Sequence, residues 1–178
     1  MRILATAALS LAALAASPAI AQDADFQGPR AEVVGGWDNV DVSGGSKSGF
    51  VYGGALGYDV QRGNLVFGPE AEITGSTTKE SDAGLTAKAR RDLYAGLRVG
   101  YVVAPNTLIY AKGGYSNARV VVEGANFRLS DNLDGFRVGG GVQHNFGQRF
   151  YGKVEYRYSN YEQDFQRHQV LAGLGVRF

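Results

Sequence analysis

The sequence has 178 residues, 18 lysines and arginines against 17 aspartates and glutamates, and no cysteine. This length fits one domain, and the balanced charge argues against a nucleic-acid partner, which would favour a basic surface. The lack of cysteine excludes disulfides as a means of stabilising an exported fold. The 26 glycines and 10 tyrosines suit strands and turns better than helices.

The first 21 residues have the pattern of a secretory signal peptide. Arg2 places a positive charge before an apolar run over residues 3–16, which Ser17 and Pro18 end. The sequence Ala19-Ile20-Ala21 then supplies the small residues that a signal peptidase requires. The run is shorter than the roughly 18 residues that a membrane-spanning helix needs. We therefore predict a signal peptide over residues 1–21 and one mature domain over residues 22–178.

The mature sequence contains eight segments in which apolar residues alternate with polar or small ones. In chain order these predicted strands span residues 30–40, 49–60, 65–75, 91–102, 107–117, 135–146, 150–160 and 166–178. A period of two is that of a β-strand, and about ten residues suffice to cross a membrane at a tilt. Charged and turn residues interrupt every mature apolar segment, so a membrane-spanning form must cross as strands.

The predicted connections alternate in length. The longer ones span residues 41–48, 76–90, 118–134 and 161–165, and the short ones span residues 61–64, 103–106 and 147–149. Outer-membrane barrels have short periplasmic turns and longer outer loops. We therefore predict an all-β fold, an eight-stranded antiparallel up-and-down transmembrane β-barrel. Residues 76–90, rich in Thr, Ser, Lys and Asp, are expected to form a mobile loop, and Val120 to Val122 to extend a hairpin above the membrane.

Alternation alone leaves open which face is outside. A soluble exported ligand-binding barrel would turn its apolar face inward. Bulky aromatic residues near the strand ends instead favour a lipid-facing apolar surface with interfacial girdles. These residues are Trp37, Tyr58, Tyr101, Phe136, Phe146, Phe150 and Phe178. The opposite face is dominated by glycine and a few long charged residues, which a narrow interior can hold.

Five segments resemble the outer-membrane β-barrel family that includes the OmpA-type transmembrane barrel and the opacity-like small outer-membrane proteins. They span residues 92–101, 108–115, 139–143, 154–158 and 173–178, so the resemblance covers essentially the whole mature chain. It implies a place in the outer membrane, among lipid and lipopolysaccharide. It also implies insertion by the barrel-assembly machinery, with the terminal aromatic Phe178 as part of the assembly signal.

Charged residues on the inward face are the candidate functional residues. They are Glu70, Glu72, Arg98, Lys112, Arg137, Lys153, Glu155 and Arg157. A charge in a narrow interior is tolerable only if it is paired or hydrated. We predict a salt-bridge network that fills and stiffens the barrel, in a protein with a structural or surface-interaction role. The alternative is a narrow channel or a porin-like uptake protein, although side chains just fill an eight-stranded barrel.

No residue pattern indicates catalysis, a metal site or a cofactor. His144 and His168 are predicted to face lipid, and their number and spacing do not suit a metal ion. Lipid A deacylases of the outer membrane use a His beside a Ser-Asn pair, but Ser159-Asn160 lacks the His that would activate the hydroxyl. We therefore predict no enzyme. The sequence leaves open what the outer loops bind and whether the barrel oligomerises.

Overall fold

The computed structural model describes residues 26–42, 45–77, 79–82, 85–123, 128–161 and 165–178. The regular structure in these ranges consists of strands. They are β1 (Gly28–Val42), β2 (Gly45–Arg62), β3 (Leu65–Ser76), β4 (Lys79–Asp82), β5 (Leu85–Ala104), β6 (Thr107–Glu123), β7 (Arg128–Phe146), β8 (Phe150–Tyr161) and β9 (Phe165–Arg177). Within the same ranges, no helix has the length and apolar character needed to span a bilayer.

Antiparallel pairing closes these strands into a barrel. Each strand pairs with its neighbours in the order β3-β2-β1-β9-β8-β7-β6-β5-β4, and a further β3–β5 pairing joins the two sides. Strand β5 pairs with β3 from Asp92 to Tyr101 and with β4 from Leu85 to Lys88. Strands β3 and β4 therefore follow one another along the same edge of β5 and count as one strand of the barrel. The described strands therefore make a closed eight-stranded barrel, which confirms the predicted fold class.

The two ends of the barrel differ. At one end, three tight turns follow Arg62, Ala104 and Phe146, and two of them contain glycines with positive φ, +58° at Gly63 and +86° at Gly147. Such backbone conformations favour glycine. At the other end, β-hairpins extend from the barrel. This asymmetry identifies the periplasmic end by its turns and the outer end by its hairpins.

The outer connections contain more strand than predicted. Most of residues 76–90 lie in β4 and β5, where Lys79 pairs with Lys88, so this connection is a paired hairpin and not the predicted loop, while its mobility stays a prediction. The predicted hairpin extension at Val120 to Val122 is confirmed, since these residues pair with Leu129 to Asp131. Both faces of a hairpin above the bilayer meet water, so its sequence need not alternate and resembles that of a loop.

Side chains alternate between the outside and the inside of the barrel. In β3, exposed and buried residues alternate strictly from Leu65 to Thr74. Trp37 and Phe178, both predicted to face lipid, are 72% and 69% exposed, whereas Arg137 and Arg157 are fully buried. Apolar side chains thus face outward and charged ones inward. This arrangement is the inverse of a soluble ligand-binding barrel and contradicts that alternative.

Candidate functional site: the charged barrel interior

All eight charged residues predicted as candidates lie inside the barrel and are at most 4% exposed. Glu70 and Glu72 come from β3, Arg98 from β5, Lys112 from β6 and Arg137 from β7. Lys153, Glu155 and Arg157 are successive inward positions of β8. They face the lumen because alternate residues of a strand share one face. Seven of the eight are linked directly to one another by ion pairs, and Arg98 is connected to them through Asp59 and Arg30.

The central pair of the network joins Glu72 to Arg157. The Arg157 guanidinium donates to both carboxylate oxygens of Glu72, with a distance of 2.6 Å from Nη2 to Oε2. The same guanidinium donates through Nε to Glu155. Arg137 also contacts Glu72, with 3.4 Å between Nη1 and Oε1. Two-pronged pairs of this kind hold both side chains in a fixed orientation.

Two lysines extend the network to further carboxylates. Lys112 Nζ lies 2.6 Å from Glu70 Oε1, 2.9 Å from Glu155 Oε1 and 3.5 Å from Glu72 Oε2. Lys153 Nζ lies 3.0 Å from Glu155 Oε2 and also donates to Glu32. The ammonium groups therefore each serve more than one carboxylate, and the middle of the lumen is occupied by side chains that hold one another.

Seven further buried charges belong to the interior, and sequence reasoning left them out of the candidate set. They are Arg30, Glu32, Asp38, Asp59, Asp92, Arg167 and Arg177. All lie at inward positions of their strands, so the alternation of inward and outward residues that selected the first eight could have found them. Near the outer end, Arg167 donates through Nε to Asp38 Oδ1 at 2.6 Å, and its Nη1 lies 3.2 Å from Asp92 Oδ2.

Four tyrosines also point inward, into an interior that was expected to be dominated by glycine and charged residues. The hydroxyl groups of Tyr110, Tyr151 and Tyr161 donate to Glu155, Glu32 and Asp92, at 2.6, 2.8 and 2.8 Å. The ring of Tyr94 lies under Lys112 Nζ, which is 4.8 Å from the ring centroid. The tyrosines fill volume between the ion pairs while their hydroxyls complete the hydrogen bonding of the carboxylates.

Glycines make room for these long side chains. A Cβ atom at Gly57 would lie 2.7 Å from the Arg30 guanidinium, and one at Gly175 would lie 2.2 Å from the Tyr151 ring. Each would collide with an interior side chain. These inward positions are therefore occupied by glycine because a bulky side chain from a neighbouring strand fills the space beside them.

Phe26 closes the periplasmic mouth. Its ring packs against Val66 and Leu108 in a small buried apolar cluster. Its backbone N–H donates to Gln61 Oε1 at 2.7 Å, and its carbonyl accepts from Arg177 Nη1 at 2.5 Å. Phe26, two residues before β1, therefore blocks the lumen on the periplasmic side of the charged side chains. Alternation patterns do not predict this role.

The residues considered for metal or acyl chemistry lie apart from any reactive arrangement. His144 and His168 face outward as predicted, in contact with Thr107 and Tyr156 at 3.1 and 2.7 Å. Ser159 is buried in the lumen and accepts a hydrogen bond from Arg137 Nε at 2.9 Å. Its described partner is thus a cation, which cannot take the hydroxyl proton.

This closed cylinder with an apolar exterior and a charged interior is the architecture of outer-membrane barrels. A family model described as "Outer membrane protein beta-barrel domain" matches residues 6–178. The chain belongs to this family. The 25 kDa outer-membrane immunogenic protein of Brucella ovis is 28% identical over 71% of this chain. The 22 kDa outer membrane protein of Rhizobium leguminosarum bv. viciae is 27% identical over 79% of the chain and 72% of its own length.

These relatives are outer-membrane proteins, which confirms the predicted location of this chain in the outer membrane. The match spans 62% of the length of the Brucella ovis protein and 57% of the Brucella canis protein, which is 31% identical. Neisserial surface protein A has a similar structure, with a TM-score of 0.67 at 17% identity over 84% of this chain and 97% of its own. Ail of Yersinia pestis gives 0.67 at 16% identity, over 86% and 100%. At these identities the likeness shows the fold alone.

Replacing Glu72 with glutamine tests the central pair. The substitution removes the bidentate acceptor of Arg157 and one contact of Arg137. Breaking one side of a buried ion pair costs about 3–5 kcal/mol, because the remaining charge stays buried. We therefore expect E72Q to lower the free energy of unfolding in urea with detergent or lipid by about that amount. Asp134→Asn, at an exposed carboxylate, is the control, and equal losses in both variants would contradict the network.

Proposed function

We propose that this outer-membrane barrel is a closed structural element of the envelope that presents its outer hairpins to the surroundings. The observation that carries the proposal is the filled lumen. From Phe26 at the periplasmic end to Arg167 near the outer end, successive layers of buried side chains bind one another across the barrel. An eight-stranded barrel of this kind has no room for a solute path.

The same interior supports a role without catalysis. Its carboxylates are bound to arginine and lysine side chains. Of its buried serines, Ser159 contacts Arg137 and Ser116 donates to Asp92, which Arg137 and Arg167 also bind. General acid–base or nucleophilic chemistry needs a group free to exchange protons beside a bound substrate. The described lumen offers charged groups that are committed to one another.

A narrow channel is the second candidate, and Lys112 is the observation that favours it. Its ammonium group contacts Glu70, Glu72 and Glu155 at distances of 2.6–3.5 Å. A small displacement could exchange one carboxylate for another, and such an exchange would be the first step in opening a path for ions.

Planar-bilayer recording decides between the two candidates. We expect the reconstituted barrel to give no discrete conductance steps, since side chains fill its lumen and ion pairs link them across it. A general porin reconstituted in the same lipid is the positive control. Regular steps from this protein whose size changes in Lys112→Gln would contradict the closed barrel and support the channel.

The outer hairpins supply the surface-interaction part of the proposal. Backbone pairing places Lys79 opposite Lys88 and Arg91 opposite Arg119, on the neighbouring strands β4, β5 and β6. Backbone pairing thus brings four basic residues to neighbouring positions, and clustered basic residues favour an anionic ligand. Ail, a structural neighbour, has been crystallised with the heparin analogue sucrose octasulfate. We propose that the outer hairpins bind sulfated or phosphorylated polysaccharide.

Arg91→Glu tests this binding. Arg91 is exposed at the base of the outer hairpins, so reversing its charge should weaken binding to a heparin column by up to roughly fivefold, the scale of exposed ion pairs. Arg149→Glu makes the same charge change at an exposed periplasmic turn and should leave the affinity unchanged. Equal weakening by both substitutions would mean that only net charge matters and would contradict a site on the hairpins.

A further inference from the structure

At the periplasmic end of the lumen, positive side chains outnumber negative ones. Asp59 Oδ2 accepts from Arg30 Nε at 3.1 Å, from Arg177 Nη1 and Nη2 at 3.2 Å each, and from Arg98 Nη2. Three guanidinium groups therefore converge on a single carboxylate oxygen. The side chains of Arg30, Arg98 and Asp59 are 0% exposed, and that of Arg177 is 4% exposed.

The excess positive charge is local. Near the outer end, Asp38 and Asp92 are matched by Arg137 and Arg167. The middle of the lumen matches four carboxylates with four cations, namely Glu32, Glu70, Glu72 and Glu155 with Arg30, Lys112, Lys153 and Arg157. What remains among the buried charges of the described residues is Asp59 with both Arg98 and Arg177, one carboxylate for two guanidinium groups.

Hydrogen-bond donors are left over at the same place. Among the described residues, buried Arg98 Nε and Arg177 Nε have no acceptor, and neither does Arg30 Nη1. Arg98 uses its other groups on Asp59 and on Gln143 Oε1, 3.0 Å away, and Arg177 uses its own on Asp59 and the Phe26 carbonyl. A buried charged donor without a partner is costly, and ordered water or an ion commonly accounts for such groups.

We propose that the Arg98–Arg177 pair is a binding site for one small monovalent anion, chloride in the cell envelope. A single negative charge would balance the one uncompensated guanidinium, and a halide would accept hydrogen bonds from the unpartnered Nε–H groups. The apolar cluster of Phe26, Val66 and Leu108 lies at the same end of the barrel, where Arg177 also donates to the Phe26 carbonyl.

The competing occupant is water. Asp59 Oδ1 is also buried without a partner, so a water molecule could accept from a guanidinium and donate to that oxygen. Water would satisfy the hydrogen bonds but leave the excess positive charge in place. Anion dependence therefore separates the two occupants.

The test measures thermal unfolding of the refolded full barrel in detergent, at constant ionic strength and pH, as gluconate is replaced by chloride. We expect a saturable rise in apparent Tm, roughly 3–6 °C once chloride exceeds its dissociation constant about tenfold. Arg177→Gln removes the excess charge and should abolish the rise. Arg167→Gln, at the balanced outer cluster, is the matched control and should keep it.

Bromide provides a direct readout on the same protein. Crystals transferred to bromide should show an anomalous-scattering peak beside Arg98 Nε and Arg177 Nε, and crystals of Arg177→Gln should lack that peak. A Tm that is independent of the anion, a chloride effect of equal size in both variants, or the absence of a bromide peak in the unsubstituted protein would each overturn the proposal.

Discussion

Backbone hydrogen bonding in hydrocarbon is the constraint on which this structure depends. No water is available inside a bilayer, so each peptide N–H and C=O must find a partner within the protein. Antiparallel pairing of neighbouring strands, closed by pairing of β1 with β9 and of β3 with β5, supplies these partners for the barrel wall, whereas β4, at the outer end, pairs with β5 alone among the described strands. Closure then forces alternate side chains to face lipid or lumen. The period of two along the sequence is the direct consequence.

The same closure decides what the interior must contain. An apolar outer surface is stabilised by lipid contact, so the enclosed face receives the polar residues, and there they lose contact with bulk water. Glu72 with Arg157 and Asp38 with Arg167 show the outcome, two-pronged pairs with nearly all of their hydrogen-bonding groups used. Such pairs add little net stability compared with an apolar core. They do make any opening of the lumen costly, which suits a closed envelope barrel.

The alternation of apolar with polar or small residues in the sequence predicted most of this fold and the location of the eight candidate charges. Tyr156 and Glu155, for instance, are adjacent in sequence and lie on opposite faces of β8. This alternation failed to predict strands where a strand no longer has lipid on one side and the lumen on the other. At the outer end, residues 79–82 and 85–88 pair as strands although their sequence resembles that of a loop, because a strand beyond the bilayer does not need an apolar face toward lipid.

Long-range contacts limited the prediction of the interior. Asp59 lies on a stretch of β2 dominated by glycine and alanine. Nothing local indicates that Arg30, Arg98 and Arg177 converge on it from three other strands, β1, β5 and β9. Phe26 precedes the first strand and has no alternation to place it. Its position follows from Gln61, Arg177 and the apolar cluster at the mouth, all distant in sequence.

The assignment of lipid and lumen faces is tested most directly by contacts between methyl groups and detergent. In solution NMR of the refolded, methyl-labelled barrel in micelles, acyl-chain protons should give nuclear Overhauser effects to Val33, Val170 and Leu174, which are 66%, 54% and 66% exposed. The neighbouring inward methyls of Val34, Val51 and Leu171 should give none. Effects at the second set and not at the first would contradict the barrel described above.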